Sequence, residues 1–146
     1  MALWRVYYHL VWATKERLPL IKLELEDSLY HYIIGKADSN SSIVHAIGGM
    51  EDHVHLVVSI PPRISIAGFV KNIKGSSSHY INHTLFPNYH KFAWQEGYGV
   101  FSLGSKQLDQ AIAYVHNQKT HHLQQTAIPS LEIVKHQDDA PSVYQK

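Results

Sequence analysis

The chain has no cysteine among its 146 residues, which removes disulfide scaffolds, thiolate zinc sites and cysteine nucleophiles together. Any metal must therefore be held by imidazole, carboxylate, amide or water. The absence fits a reducing compartment, and the expected location is the cytoplasm. Long apolar runs are missing too: the stretch up to Trp12 is broken by Arg5 and His9, so neither a signal peptide nor a membrane span is expected. Net charge is small, +1 at pH 7, which argues against a strongly basic coat for nucleic acid. Internal repeats and low-complexity tracts are absent as well. The length suits one domain with its own core and no need of covalent or metal staples.

What is abundant is histidine, with 12 in the chain. Charge is also uneven. Between residues 60 and 125 the cations Arg63, Lys71, Lys74, Lys91, Lys106 and Lys119 face only Glu96 and Asp109, so the middle of the chain could meet a polyanion; scattered lysines on solvated helix faces would look the same.

Leu3 to Ala13 alternates Trp4, Val6, Tyr8, Leu10 and Trp12 against Arg5 and His9, the pattern of a strand with one apolar face. Pro19 opens a helix whose Ile21, Leu25, Leu29, Tyr32 and Ile33 recur at helical spacing up to Gly35, before the turn cluster Asp38-Ser39-Asn40. A strand over about 42–48 then pairs with one starting at His53, across a short connection holding Gly49, Glu51 and Asp52. Ser65 is placed to cap a helix with Ile66, Phe69, Val70 and Ile73 on one stripe; Gly75 and the serines after it make its continuation doubtful. A turn from Trp94 leads to a strand ending at Leu103, and Ser105 could cap a helix over about 106–122. After Gln124 a tail follows, with a short element near 131–134. The order β, α, β-hairpin, α, β, α predicts an α+β sandwich, ferredoxin-like or RRM-like, with a mostly antiparallel sheet.

Two features carry chemistry. In His53-Val54-His55, residues two apart on a strand share a face, with Cα atoms about 6.6 Å apart, so two imidazoles can grip one divalent cation. Val54, Leu56, Val58 and Ile60 meanwhile form the opposite, apolar face. On the later helix, Leu108, Ala111, Ile112 and Val115 make the core stripe, while Tyr114 and Gln118 lie one turn apart on a polar stripe with Gln107 and His121. If that helix crosses the histidine face, His53, His55 and the Gln118 carbonyl make an N₂O set with open positions. Magnesium favours more oxygen ligands; manganese tolerates imidazole better. Tyr114, with a free phenol pKa of about 10, would need a cation or base to become a nucleophile toward phosphorus. The bland alternatives are incidental surface histidines and a tyrosine half-buried at the edge of the core. The adjacent His121 and His122 point about 100° apart on a helix and are not expected to form a second metal motif.

His53-Val54-His55, Tyr114 with Gln118 in the run from Ala113, the segment Tyr8 to Lys15, and Trp94-Gln95-Glu96-Gly97-Tyr98 occur in an order that resembles the IS200/IS605-type single-tyrosine transposases. These belong to the HUH endonucleases, named for two histidines flanking a hydrophobic residue. The likeness runs from about Tyr7 to His122. It implies the HUH endonuclease fold over residues 1–123, with 124–146 as a tail. It further implies a homodimer that recognises single-stranded DNA hairpins and cuts nearby. Tyr114 would attack the scissile phosphate and keep the 5′ phosphate, releasing a 3′ hydroxyl. His53, His55 and Gln118 would hold Mg²⁺ or Mn²⁺, and the tyrosine helix could come from either subunit. Lys15, Arg17, Arg63, Lys71 and Lys74 are candidate phosphate contacts, with Ser76, Ser77 and Ser78 as hydrogen-bond donors. Other readings stay open: a domesticated repeat-associated relative, a non-catalytic nucleic-acid-binding module using sheet aromatics, and a metal hydrolase in which Tyr114 only orients substrate.

Overall fold

Alternating side chains divide the sheet into two unlike faces, and the helices are distributed accordingly. The computed structural model describes residues 2–88, 91–124, 127–129 and 141. Its elements are β1 (Tyr7–Ala13), α1 (Leu23–Ser39), β2 (Ile43–Met50), β3 (His53–Ser59), α2 (Ile66–Tyr80), β4 (Gly99–Leu103), α3 (Leu108–His116) and α4 (Gln118–Leu123). The sheet order is β2-β3-β1-β4 and every pair is antiparallel. Both crossovers, through α1 and α2, pack on one face, as in a ferredoxin-like sandwich.

That face is the main core: Leu10 and Trp12 of β1 and Val54, Leu56 and Val58 of β3 meet Leu25, Leu29 and Ile33 of α1 and Phe69, Val70 and Ile73 of α2. The opposite face carries a smaller cluster, Ala46 and Val57 under Ala111 and Val115 of α3. The same face also carries His9, His53 and His55, beside Val11, Gly48 and Phe101.

Local chemistry sets the element ends. Ser65 caps α2, its Oγ accepting from the Gly68 N–H at 3.0 Å, as its residue type predicts. Gly75 and the serines do not stop α2, which runs to Tyr80 before a wider turn over Ile81–Leu85; burial of Ile73, Ser77 and Ile81 outweighs weak propensity. α1 likewise starts later than expected, at Leu23, and continues through Gly35 to Ser39, because Ala37 is still in the core. The cap before α3 is Gly104, not Ser105: the Gln107 side-chain oxygen reaches back to the Gly104 N–H at 2.8 Å. The expected helix over 106–122 is broken at Asn117, whose ψ of 22° leaves the helical region, and Gln118 begins α4. The expected element near 131–134 lies outside the described residues.

Candidate active site

β3 carries His53 and His55 on the face away from the main core, and neighbouring β1 presents His9 there, since Val11 is the direct partner of His55 and His9 of Val57. α3 and α4 lie over this face. Gly48 lets them approach, because a Cβ there would fall 2.2 Å from the Val115 carbonyl oxygen. Tyr114 and Gln118 thereby arrive over the histidines of their own chain. The Tyr114 ring centroid is 5.9 Å from that of His55, and the Gln118 Oε1 is 3.2 Å from His53 Nε2. All four are buried, with exposures of 1% for His53, 0% for His55, 9% for Tyr114 and 1% for Gln118. The tyrosine predicted on the helix shoulder is therefore enclosed rather than half in water. Its hydroxyl accepts from the Ile128 N–H at 2.9 Å, and its ring stacks on His121 at 4.6 Å.

Hydrogen bonding constrains which nitrogen carries which proton. Asp52 Oδ1 lies 2.7 Å from His53 Nδ1, and a carboxylate only accepts, so Nδ1 holds a proton. Burial pushes the Asp52 carboxyl up, yet the hydrogen bond and charge of His53, joined by Arg17, outweigh it and hold it below its ordinary value. In the neutral ring His53 Nε2 is then a lone pair, facing the Gln118 amide oxygen, another acceptor. The contact is satisfied by an imidazolium donating to that oxygen, by the amide turned over so that its N–H₂ donates to the ring, or by a cation shared between the two lone pairs. The Gln118 Nε2, meanwhile, is buried without a hydrogen-bond partner among the described residues. His122 Nε2 donates to the same oxygen at 3.2 Å. His53, His55 and Gln118 thus fit a divalent cation by donor type and convergence. Among the described residues no three His, Asp or Glu side chains form a ready-made metal cage; the set depends on the amide.

Arg17 stands at the rim. Its Nε is 3.4 Å from Asp52 Oδ2 and its Nη2 3.4 Å from His53 Nδ1. Glu16 and Arg17 have φ of 56° and 52°, two consecutive non-glycine residues in the left-handed region, at a cost on the order of 1 kcal/mol each. The loop is pinned in that shape: Thr14 Oγ1 donates to the Leu18 carbonyl at 2.6 Å, and Gln95 Oε1 accepts from the Glu16 N–H at 3.0 Å.

The remaining candidate phosphate contacts do not gather here. Lys15 is exposed on the Arg17 loop; Lys71 is exposed on α2, over the other face of the sheet. Arg63 donates to Ser41 Oγ at 2.8 Å. Lys74 is turned inward, donating to the carbonyls of Gln95 at 2.6 Å and Gly97 at 2.9 Å, a structural duty rather than a phosphate contact. Ser77 is fully buried, its Oγ accepting from Trp94 Nε1 at 2.9 Å. The Ser76 and Ser78 hydroxyls donate back to the carbonyls of Asn72 and Gly75 on their own helix.

The sequence of the IS200-like transposase family matches residues 2–118 of this chain. The chain belongs to the IS200-like transposase family. Within the family's company, the ISDra2 transposase TnpA of Deinococcus radiodurans is 36% identical over 75 residues, which are 51% of this chain and 54% of that protein; the match spans about half the length of that relative. A crystal structure of a candidate transposase from the same organism superposes with a TM-score of 0.62 at 30% identity, covering 80% of this chain and 93% of the other. A REP-associated tyrosine transposase solved with a REP hairpin gives 0.61 at 15% identity, covering 84% and 74%, a likeness of fold. Among the described residues no helix is long and apolar enough to cross a membrane.

Residues that a sequence reading passes over are Asp52, His9 and His122 as partners of the candidate ligands. Signals existed for each: Asp52 adjoins His53, His9 lies on the polar face of an alternating strand, and His122 is four residues after Gln118. His121 and His122 reach different neighbours, Tyr114 and Gln118, so they approach the site on separate sides, as adjacent helical residues should.

Proposed function

We propose that this IS200-like family member is a metal-dependent single-strand DNA endonuclease and strand transferase that recognises DNA hairpins. The observation that carries the proposal is the enclosure of Tyr114 with His53, His55 and Gln118 of one chain. The Tyr114 oxygen attacks the scissile phosphorus and forms a Tyr–O–P bond to the 5′ side. The bond from phosphorus to the 3′ oxygen breaks. One proton leaves the phenol and one is taken up by the departing oxygen, so the exchange is proton-neutral. Because the new linkage is still a phosphodiester, a later 3′ hydroxyl can attack it and rejoin strands without another energy source. Mg²⁺ or Mn²⁺ held by His53, His55 and Gln118 would polarise the phosphate oxygens. Arg17, at the rim, offers a fixed cation to the same phosphate.

The hairpin substrate is supported by the REP hairpin bound to the structural neighbour. Lys15, Arg63 and Lys71 remain the candidates for flanking phosphates. A homodimer belongs to the proposal too: among the described residues β4 pairs with β1 on one side only, which offers a sheet edge to a second copy. Tyr114 needs no second copy to reach the histidines in this arrangement.

The test is incubation with labelled hairpin-bearing single-stranded DNA and Mn²⁺, read on a denaturing gel. Wild type is expected to form a covalent protein-DNA adduct. Tyr114→Phe should form none while still binding the hairpin, and His53→Ala should cut at least 100-fold more slowly. Hairpin binding without cleavage by wild type would favour a binding module; undiminished cleavage by Tyr114→Phe would favour water as nucleophile.

A further inference from the structure

The His9 and His55 rings meet through His9 Nε2 and His55 Nδ1, 2.8 Å apart, and the two residues are 2% and 0% exposed. Such a contact between neutral imidazoles holds one proton, and its direction matters. With the proton on His55 Nδ1, the bond runs to His9 and the His55 Nε2 is a lone pair able to bind a cation. With the proton on His9 Nε2, His55 Nδ1 accepts, the proton of His55 sits on Nε2, and that nitrogen cannot be a ligand.

His53 offers a guide to the direction. There Asp52 grips Nδ1 and Nε2 is turned to Gln118. His55 is gripped at the same nitrogen by a different residue, from the neighbouring strand. The two rings sit edge to face at 5.0 Å, each backed at Nδ1. His9 also lies between the rings of Phe101 and Tyr114, both 6.2 Å away, so packing helps to hold its ring in place. We infer that His9 is a positioning residue: its Nε2 accepts from His55 Nδ1–H and fixes the tautomer and plane of His55, leaving Nε2 for the divalent cation. The inference rests on the metal reading of His55. Outer partners of this kind are worth about 10–100-fold in metal affinity.

The test uses the full chain in metal-free form with ¹⁵N-labelled histidine. Long-range ¹H–¹⁵N correlation spectra should show His55 as the Nδ1–H tautomer in wild type and shifted toward Nε2–H in His9→Leu. Mn²⁺ titration should show affinity about 10–100-fold weaker in His9→Leu and largely restored in His9→Gln, whose amide oxygen can accept the same proton. Circular dichroism melting confirms that both variants fold; should His9→Leu fail to fold, the wild-type tautomer and the His9→Gln affinity decide. A wild-type His55 protonated on Nε2, or a folded His9→Leu that binds Mn²⁺ as tightly as wild type, would overturn the role of His9. Wild type that takes up no Mn²⁺ would instead overturn the metal reading, and the spectra would still show whether His9 sets the tautomer.

Discussion

Tyr30 buries its hydroxyl with no hydrogen-bond partner among the described residues. Burial first, then the charges of Glu26 and Asp27, push its pKa well above the ordinary value. An unfolded tyrosine ionises near pH 10 while this one keeps its proton, so above that pH the folded state binds more protons and stability falls as pH rises. Tyr30→Phe removes the orphan hydroxyl. It should leave stability at pH 7 unchanged or raised by about 1 kcal/mol, with its advantage over wild type widening above pH 10. Urea melts at the two pH values check this, and a constant gap would contradict it. Lysines divide just as sharply. Lys74→Ala should cost about 1–3 kcal/mol because two carbonyls of the 95–97 loop lose their donor. Lys71→Ala should stay within about 0.5 kcal/mol of wild type and, if it meets phosphate, lower the salt dependence of DNA binding. Denaturation and binding at two salt concentrations separate the pair; equal stability loss in both would refute the distinction. In the sequence the two lysines look alike, three apart beside one apolar stripe. Only the distant loop that folds against Lys74 tells them apart, and no local pattern encodes it.

At the scale of elements, α3 reaches the sheet because β2 has a glycine where the backbones touch. A Cβ on Gly48 would collide with the Val115 carbonyl, a backbone atom that cannot rotate away. Gly48→Ala should therefore lift the end of α3 that bears Tyr114 and Gln118. The expected cost is about 1–3 kcal/mol together with a fall in adduct formation of at least 10-fold, since small displacements of reacting groups are expensive. Thermal melting and single-turnover rates measure the two effects; unchanged rates would show that the approach is not needed. The strand β3 was legible in the sequence because Val54, Leu56 and Val58 alternate with His53 and His55. The α2 cap was legible because Ser65 precedes the apolar stripe. The break at Asn117 was not, since the helical spacing of Tyr114, Gln118 and His121 survives it and the stripe alone reads as one continuous helix.

Over the whole molecule, one sheet serves two purposes. Its apolar face anchors α1 and α2, and that stable layer lets the other face afford buried imidazoles, an amide and a phenol. The two-faced character follows from alternation and could be read directly. The order β2-β3-β1-β4 is the one a ferredoxin-like sandwich implies, but the register that brings His9 beside His55 could not be read, because nothing in β1 or β3 alone fixes it. The cations likewise separate by face: Arg17 stands at the site rim, whereas Lys71 lies beyond the opposite layer.

On the proposed function, Tyr114 becomes covalently joined to DNA. The most direct measurement is mass spectrometry of the digested adduct after reaction with hairpin-bearing single-stranded DNA and Mn²⁺. The expected result is a 5′-phosphonucleotide on the Tyr114 peptide with a free 3′ hydroxyl on the released strand; cleavage with no nucleotide on that peptide, or with the nucleotide on another residue, would contradict it.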